Sequence, residues 1–223
     1  MRIIKFAAKG QEHFRELTVE EFRTATGVQY APELQFENEN VLKNVRQQCS
    51  RAMEMGTITA QSQWLGTLHA EQLRNHFVAD VSIHWIDETI GYGLFAEKEI
   101  QPGEFIGEYT GMVRRRTFLS DNINEYCFRY PAFVFSFKKH MIDARDWGNE
   151  LSFGNHSETP NSETMGVWCD GLMHIIIRAI QVIPPSTEIT YDYTGRQKFW
   201  RELSEFNIRK QVVSWFRKRY GIR

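Results

Sequence analysis

Residues 148–161 read Gly-Asn-Glu-Leu-Ser-Phe-Gly-Asn-His-Ser-Glu-Thr-Pro-Asn. Two glycines, three asparagines and one proline in this span predict turns rather than a helix or a strand. The polar triplet Asn155-His156-Ser157 lies at its centre, and apolar segments of strand character flank it at 133–137 and 174–177. Because binding and catalytic residues are often carried on loops between strands, this stretch predicts a functional site.

Two further segments, Gly91-Tyr92-Gly93 and Tyr191-Asp192-Tyr193, suit the same site, and we predict that all three meet in space. Each segment alone also has an ordinary structural explanation. Glycine pairs mark turns, a single histidine is often a hydrogen-bonded core residue, and tyrosines at a strand end often pack with their hydroxyls in water. Only the combination indicates function.

The composition is that of a globular protein, with 42% hydrophobic and 25% charged residues among 223. An aromatic content of 13% suits either an aromatic-walled pocket or a β-rich core. No apolar run is long enough to cross a membrane, and residues 1–5 lack the apolar core of a secretory signal. These features predict no membrane contact and a cytoplasmic location in the producing cell.

The three cysteines, Cys49, Cys127 and Cys169, are isolated and form no CxxC pair. Their spacing argues against a disulfide framework and against a structural zinc site, and it favours a reducing compartment. The seven histidines form no metal-binding pairs either, so we expect no metal.

The net charge of −1 conceals an asymmetry between the body of the chain and its last segment. From residue 195 onward there are nine basic and two acidic side chains, a net +7, which leaves −8 for the rest. An acidic body favours a cationic partner, and a basic segment favours an anionic one. The alternative is that both are simply solvated surfaces.

The local patterns divide the chain into three parts. Residues 1–80 are predicted to be helical, with a capping box at Thr18 and Glu21 and with helical apolar spacing over 41–53 and 59–77. Residues 81–195 contain short strands separated by turns, which predicts a sheet-rich domain. Residues 196–223 return to helical spacing and predict a basic amphipathic helix packed on the domain. The fold class is therefore α+β overall.

Taken together and in order, the motifs resemble those of the SET-domain protein-lysine methyltransferases. The resemblance covers about residues 81–195 and rests on Gly91-Tyr92-Gly93, the segment 103–111, the segment 148–161 and Glu188-Ile189-Thr190-Tyr191-Asp192-Tyr193. It implies a mainly β fold of small sheets, with a knot-like threading of the last two segments. It also implies S-adenosylmethionine as cofactor and a lysine ε-amine as methyl acceptor.

The resemblance assigns roles to individual residues. It implies that the backbone of Gly91, Tyr92 and Gly93 approaches the methionine part of the cofactor. It implies that Asn155 and His156 hold the cofactor amine and the adenine edge, near Tyr126.

For the lysine channel the resemblance implies Tyr109 and Tyr193 as lining residues, with Tyr193 as the catalytic tyrosine. Tyr191 matches a position that acts as a gate on the methylation state, which favours mono- and dimethylation. Phe199-Trp200 resemble a pair that covers the adenine and closes the channel.

The chain departs from the family pattern at two places. Ser152-Phe153-Gly154 stands where Arg-Phe-Ile is usual, which removes an arginine that forms a structural ion pair. Glu158 stands where a zinc-binding cysteine is usual, and the cysteine cluster that follows the domain in the family is absent. The resemblance therefore implies a compact, zinc-free type, as in intracellular bacteria or large viruses.

The expected function is methylation of lysine in a basic protein, either a histone or a histone-like DNA-binding protein. The basic segment 196–223 is expected to contact nucleic acid or chromatin indirectly. Secretion into a host cell and its nucleus is a further expectation of this type. The alternative is a non-catalytic module of the same fold that binds a basic peptide or nucleic acid.

Overall fold

The structure is a computed structural model that describes residues 2–11, 13–117, 124–132 and 139–193. The first 74 residues contain both strands and helices, in the order β1 (Ile4–Ala7), β2 (Arg15–Leu17), α1 (Val19–Thr26), β3 (Gln29–Tyr30), β4 (Gln35–Phe36), α2 (Glu39–Glu54), α3 (Ala60–Leu68) and α4 (Ala70–Arg74). The prediction of a helical region over 1–80 is correct for 39–74. It is wrong for most of 4–36, where four short strands surround a single helix.

The sheet-rich part predicted from residue 81 is present. Its elements are β5 (Val81–Asp87), β6 (Gly91–Ala96), β7 (Phe105–Glu108), β8 (Met112–Arg115), β9 (Cys127–Arg129), β10 (His140–Asp143), β11 (Trp147–Gly148), a 3-10 helix (Glu150–Phe153), β12 (Asn155–His156), β13 (Ser162–Cys169), β14 (Leu172–Ala179) and β15 (Thr190–Tyr191). The predicted strand at 133–137 and the predicted helix at 196–223 lie outside the described residues.

The helices begin where side chains can satisfy their first backbone amides. Thr18 accepts from the Glu21 amide at 3.3 Å, and the Glu21 carboxylate accepts from the Thr18 amide at 2.8 Å, which is the predicted capping box of α1. Asn38 caps α2 by accepting from the Val41 amide at 3.0 Å. The apolar face of α2 is buried, including Val45 and Cys49.

Four sheets are present within the described residues, with strand orders β2-β1-β5-β6, β4-β8-β10-β9, β11-β3 and β12-β15-β13-β14-β7. Strands from residues 4–36 belong to the first three. In particular β1 pairs in parallel with β5, so backbone hydrogen bonding crosses the boundary predicted near residue 80. The division into domains at that residue stays a prediction.

The last described strand, β15, is paired along both edges. It runs parallel to β12 through Asn155↔Thr190 and parallel to β13 through Ser162↔Tyr191. Residues 157–161, which connect β12 to β13, are fixed to the same strand, because Asn161 donates to the Glu188 carbonyl at 2.7 Å and accepts from the Thr190 amide at 2.9 Å. The segments 148–161 and 188–193 are therefore joined by hydrogen bonds, and the knot-like threading that the resemblance implied stays a prediction.

Candidate active site

The segment Gly91-Tyr92-Gly93 starts β6 and lies close against neighbouring chain segments. Gly91 has φ of +84°, a left-handed conformation that residues with a side chain rarely adopt. A Cβ on Gly93 would lie 2.6 Å from the Ile86 side chain and 2.9 Å from the Glu188 carboxylate. Gly91 therefore suits its backbone conformation, whereas a side chain at position 93 would require the ends of the Ile86 and Glu188 side chains to move.

Asn155 connects the predicted segments through its side-chain amide. Its Nδ2 donates to the Tyr92 carbonyl at 3.1 Å and to Glu188 Oε1 at 2.7 Å. Both amide hydrogens are used in this way, and Oδ1 accepts no hydrogen bond from the part of the chain that the structure describes. This oxygen can accept from the amine of a ligand. Glu188 had no predicted role and belongs to the site through this contact.

The imidazole of His156 is oriented by the backbone at the end of the described chain. The Tyr193 amide donates to His156 Nδ1 at 3.1 Å, so this nitrogen is the acceptor and the ring proton is on Nε2. Asp192 Oδ1 lies 3.7 Å from the same Nδ1, beyond hydrogen-bond distance and with no proton to share. The contact with Asp192 is therefore not an ion pair in this arrangement.

The three tyrosines that were predicted for the lysine channel all donate their hydroxyl hydrogens to backbone carbonyls. Tyr109 donates to the Tyr126 carbonyl at 2.8 Å. Tyr191 donates to the Leu151 carbonyl at 3.3 Å, and Tyr193 donates to the Gly154 carbonyl at 2.6 Å. Tyr109 and Tyr191 are fully buried, whereas Tyr193 is half-buried.

The rings of these tyrosines form a continuous aromatic wall, which we call the tyrosine wall and define as Tyr109, Phe128, Tyr191 and Tyr193. Ring centroids are 4.6 Å apart for Tyr109 and Phe128, 6.3 Å for Phe128 and Tyr191, and 5.3 Å for Tyr191 and Tyr193. The His156 ring follows at 5.4 Å from Tyr193. The predicted meeting of the histidine and tyrosine segments is therefore confirmed.

Asp143 stabilises the turn that carries Tyr126 through a hydrogen bond with Asn124. Asn124 donates to Asp143 Oδ1 at 3.0 Å and accepts from the Tyr126 amide at 3.0 Å. Arg114 binds the other carboxylate oxygen at 2.7 Å. The Tyr126 carbonyl contacts the tyrosine wall, while its side chain is exposed. The predicted contact of that side chain with the cofactor stays a prediction.

Gly154, which replaces the usual isoleucine, contacts two tyrosines. A Cβ at this position would lie 2.5 Å from the Tyr191 ring, closer than any real contact. Its carbonyl is also the acceptor for Tyr193. The missing side chain thus lets the Tyr191 ring lie against the main chain. The only sequence signal for this was the departure from Arg-Phe-Ile.

Glu150 is a second residue that sequence reasoning missed. Its carboxylate is 1% exposed, and it accepts from Arg2 Nε at 2.8 Å and from the Tyr30 hydroxyl at 3.1 Å. Burial raises the pKa of Tyr30, and the adjacent Glu150 charge raises it further. Burial lowers the pKa of Arg2, but Glu150 outweighs this effect, and the pKa lies above its ordinary value.

Phe199 and Trp200, predicted to cover the adenine, lie outside the described residues. Over the described ranges no three His, Cys, Asp or Glu side chains are grouped so that they could hold a metal ion. In the same ranges no helix is both long and apolar enough to span a membrane.

A comparison with protein families matches residues 91–194 to the SET domain. This match covers the GxG segment, the Asn-His pair and Tyr193, which are the residues that the structure brings together. Residues 91–194 are therefore a SET domain, and the resemblance seen in the sequence is confirmed.

Among curated proteins, the chain is 38% identical over 121 residues to the putative histone-lysine N-methyltransferase 1 of Plasmodium falciparum. It is 37% identical over 113 residues to the histone-lysine N-methyltransferase Set2 of Drosophila melanogaster. These matches cover 52% and 48% of this chain but span only 2% and 5% of those proteins.

Among solved structures, the Neurospora SET domain protein DIM-5, a histone lysine methyltransferase, is 22% identical with a TM-score of 0.44 and 51% of each chain covered. KRYPTONITE, in complex with mCHH DNA, an H3(1-15) peptide and SAH, is 29% identical with a TM-score of 0.43 and covers 51% of this chain and 23% of that one.

Proposed function

We propose that this chain is an S-adenosylmethionine-dependent protein-lysine N-methyltransferase that acts on a histone or a histone-like protein. The observation that carries the proposal is the convergence of Gly91-Tyr92-Gly93, Asn155 and the tyrosine wall within one SET domain. Its relatives among curated proteins are histone-lysine methyltransferases, of which this chain spans a small part.

The residues on one side of the site suit a ligand that carries an amine and an adenine ring. Asn155 Oδ1 can accept from an ammonium group. Among the described residues, none apart from the chain neighbours of Gly91 lies within 4 Å of the position that a Cβ on Gly91 would take, so a ligand has space there. His156 presents Nε2–H as a donor toward a ring nitrogen acceptor such as those of adenine. When bound, S-adenosylmethionine would supply an activated methyl group on a positively charged sulfur.

The tyrosine wall suits the lysine side of the reaction. A lysine has a reference pKa of about 10.4 and must lose its proton before its lone pair can attack a methyl group. Buried aromatic surface disfavours the ammonium form and so favours this loss. Tyr193 donates its hydroxyl hydrogen to the Gly154 carbonyl, and a hydroxyl oxygen held in this orientation can accept from an incoming amine and align it.

Tyr191 is the proposed gate on methylation state, with mono- and dimethylation favoured. Its hydroxyl is buried and bound to the Leu151 carbonyl. A polar oxygen at that place can hold an amine or a water molecule where a methylated amine would otherwise rotate. A difference of about 1.4 kcal/mol between two orientations changes the product ratio tenfold, so one hydroxyl is sufficient.

Tritium transfer from labelled S-adenosylmethionine onto purified histones and onto a mixed basic-protein extract tests the proposal. We expect transfer by the unmodified chain, a large loss of rate in Tyr193→Phe, and more di- and trimethyl-lysine from Tyr191→Phe by mass spectrometry. Asn155→Ala should weaken cofactor binding by about 1–3 kcal/mol in calorimetry, because a ligand partner is removed.

The rival reading is a non-catalytic module that binds basic peptides. Cofactor binding without transfer to any lysine, together with peptide binding by the unmodified chain, would favour it. Contacts of residues 196–223 with chromatin and secretion into a host nucleus stay predictions.

A further inference from the structure

Glu150 is the most deeply buried acidic side chain in the described residues that has no part in the proposed chemistry. It lies five residues before Asn155, at the start of the 3-10 helix Glu150–Phe153. Both of its hydrogen-bond donors, Arg2 and Tyr30, come from the first 36 residues of the chain. A buried carboxylate needs such partners, because leaving it unpaired is strongly unfavourable.

The turn that begins with Glu150 carries contacts directly into the tyrosine wall. The Leu151 carbonyl accepts from Tyr191, and the Gly154 carbonyl accepts from Tyr193. The turn is closed by its own backbone, since the Gly154 amide donates to Leu151 at 3.3 Å. A shift of this turn therefore moves the acceptors of two tyrosines and the strand that carries Asn155.

Residues from the same N-terminal part of the chain also contact the part of the site that is proposed to bind the cofactor. The Phe6 ring lies 5.0 Å from the Tyr92 ring, and the Phe22 ring lies 5.9 Å from the Phe153 ring. The Ala31 amide donates to the Gly148 carbonyl at 2.9 Å, immediately before the turn. These contacts join one segment, which we call the N-terminal clamp (residues 2–11 and 13–36), to Tyr92, Gly148 and Phe153 as well as to Glu150.

We infer that the N-terminal clamp is a working part of the active site, in which Arg2 and Tyr30 are positioning residues that fix Glu150 and thereby the cofactor-binding Asn155. The inference rests on the proposed function for its ligand, S-adenosylmethionine.

Cofactor binding by the full chain and its variants tests this role. In Arg2→Met we expect the dissociation constant for S-adenosylmethionine to rise about tenfold, as for other coupled neighbouring residues. Tyr30→Phe keeps the ring and removes one donor, so we expect a rise of about threefold. Arg2→Met/Glu150→Gln should recover most of the affinity, because no unpaired charge is then buried.

Two controls separate positioning from general loss of stability. Leu73→Ala on α4 opens a cavity in a hydrophobic cluster separate from the one that contains Leu151, and it should lower the thermal midpoint without changing the dissociation constant. Arg74→Met removes an exposed ion pair with Asp170 and should change neither. Affinity that is unchanged in Arg2→Met and Tyr30→Phe would overturn the inference, as would an equal loss in Leu73→Ala.

Amide hydrogen exchange provides a readout that needs no cofactor. We expect amides of residues 151–156 to exchange about tenfold faster in Arg2→Met and Tyr30→Phe than in the unmodified chain, and to be unchanged in Leu73→Ala at a temperature where all are folded. If the unmodified chain binds no S-adenosylmethionine, the proposed function fails, and this exchange result alone decides the inference. If Arg2→Met does not fold, Tyr30→Phe decides it.

Discussion

The segment 4–36 and the helices of 39–74 are joined to the rest of the molecule in different ways. Strands β1, β3 and β4 enter three sheets by backbone hydrogen bonds, with partners in β5, β11 and β8. Helices α2 to α4 satisfy their own backbone groups and attach through buried side chains such as Val45 and Leu65. The first segment is therefore part of the sheets themselves, whereas the helices pack on the sheets through their side chains.

The largest expected effect separates these two kinds of attachment. Phe6→Ala and Leu65→Ala each remove a fully buried side chain, and each should lower the free energy of unfolding by about 3 kcal/mol. Because the Phe6 ring packs on Tyr92, only Phe6→Ala should also weaken cofactor binding. Urea unfolding and calorimetry at low temperature measure the two quantities, and an equal loss of affinity in Leu65→Ala would remove the distinction.

A second, smaller effect concerns the sheet β12-β15-β13-β14-β7, whose described strands all come from residues after 104. His174 on β14 donates from Nδ1 to Glu108 on β7 at 2.6 Å. Burial lowers the pKa of His174, but the hydrogen bond and charge of Glu108 outweigh it, so the pKa lies above its ordinary value of 6.5. The folded state therefore favours the protonated ring.

The stabilisation by His174 is complete below about pH 6.5 and is lost as the pH rises through the folded pKa. We expect the free energy of unfolding to fall over that interval by at most about 1.4 kcal/mol per pH unit. Urea midpoints measured across this range should show a flatter profile for His174→Gln. If His174→Gln gave the same profile as the unmodified chain, a group other than His174 would be responsible for the pH dependence.

The smallest expected effect concerns two N-caps, that of α1 in the segment 4–36 and that of α2 among the helices of 39–74. Thr18→Ala and Asn38→Ala each remove the acceptor of a first-turn amide and should cost about 1 kcal/mol in thermal unfolding. Since Phe22 of α1 packs on Phe153, Thr18→Ala should also speed amide exchange in residues 151–154, and Asn38→Ala should not. Faster exchange in both variants would mean that α2 reaches the site too.

Local pattern was sufficient for the helices and for the longer strands. Helical spacing and capping residues are properties of neighbouring residues, so α2 and the start of α1 could be predicted within a residue or two. The motif residues of the site were named from the resemblance, and the structure brings Gly93 and Asn155 together against Glu188, while their functional roles stay predictions.

Short strands and long-range polar contacts could not be predicted in the same way. β3 and β4 contain two residues each, too few to show any alternation, and their partners lie more than 75 residues away. Nothing in the local sequence marks Glu150 as buried, since its partners Arg2 and Tyr30 are distant in sequence. Only the three-dimensional arrangement reveals such pairs.

The double pairing of β15 has a consequence for how the chain folds and resists force. Its two edge partners come from one earlier segment, so the strand can be placed only after residues 155–162 have taken up their positions. Such non-local closure is slow, and synthesis on the ribosome must pass residue 191 before the site can close. Once formed, the strand cannot be peeled from a free edge by tension applied beyond residue 193, because hydrogen bonds on both sides must break together.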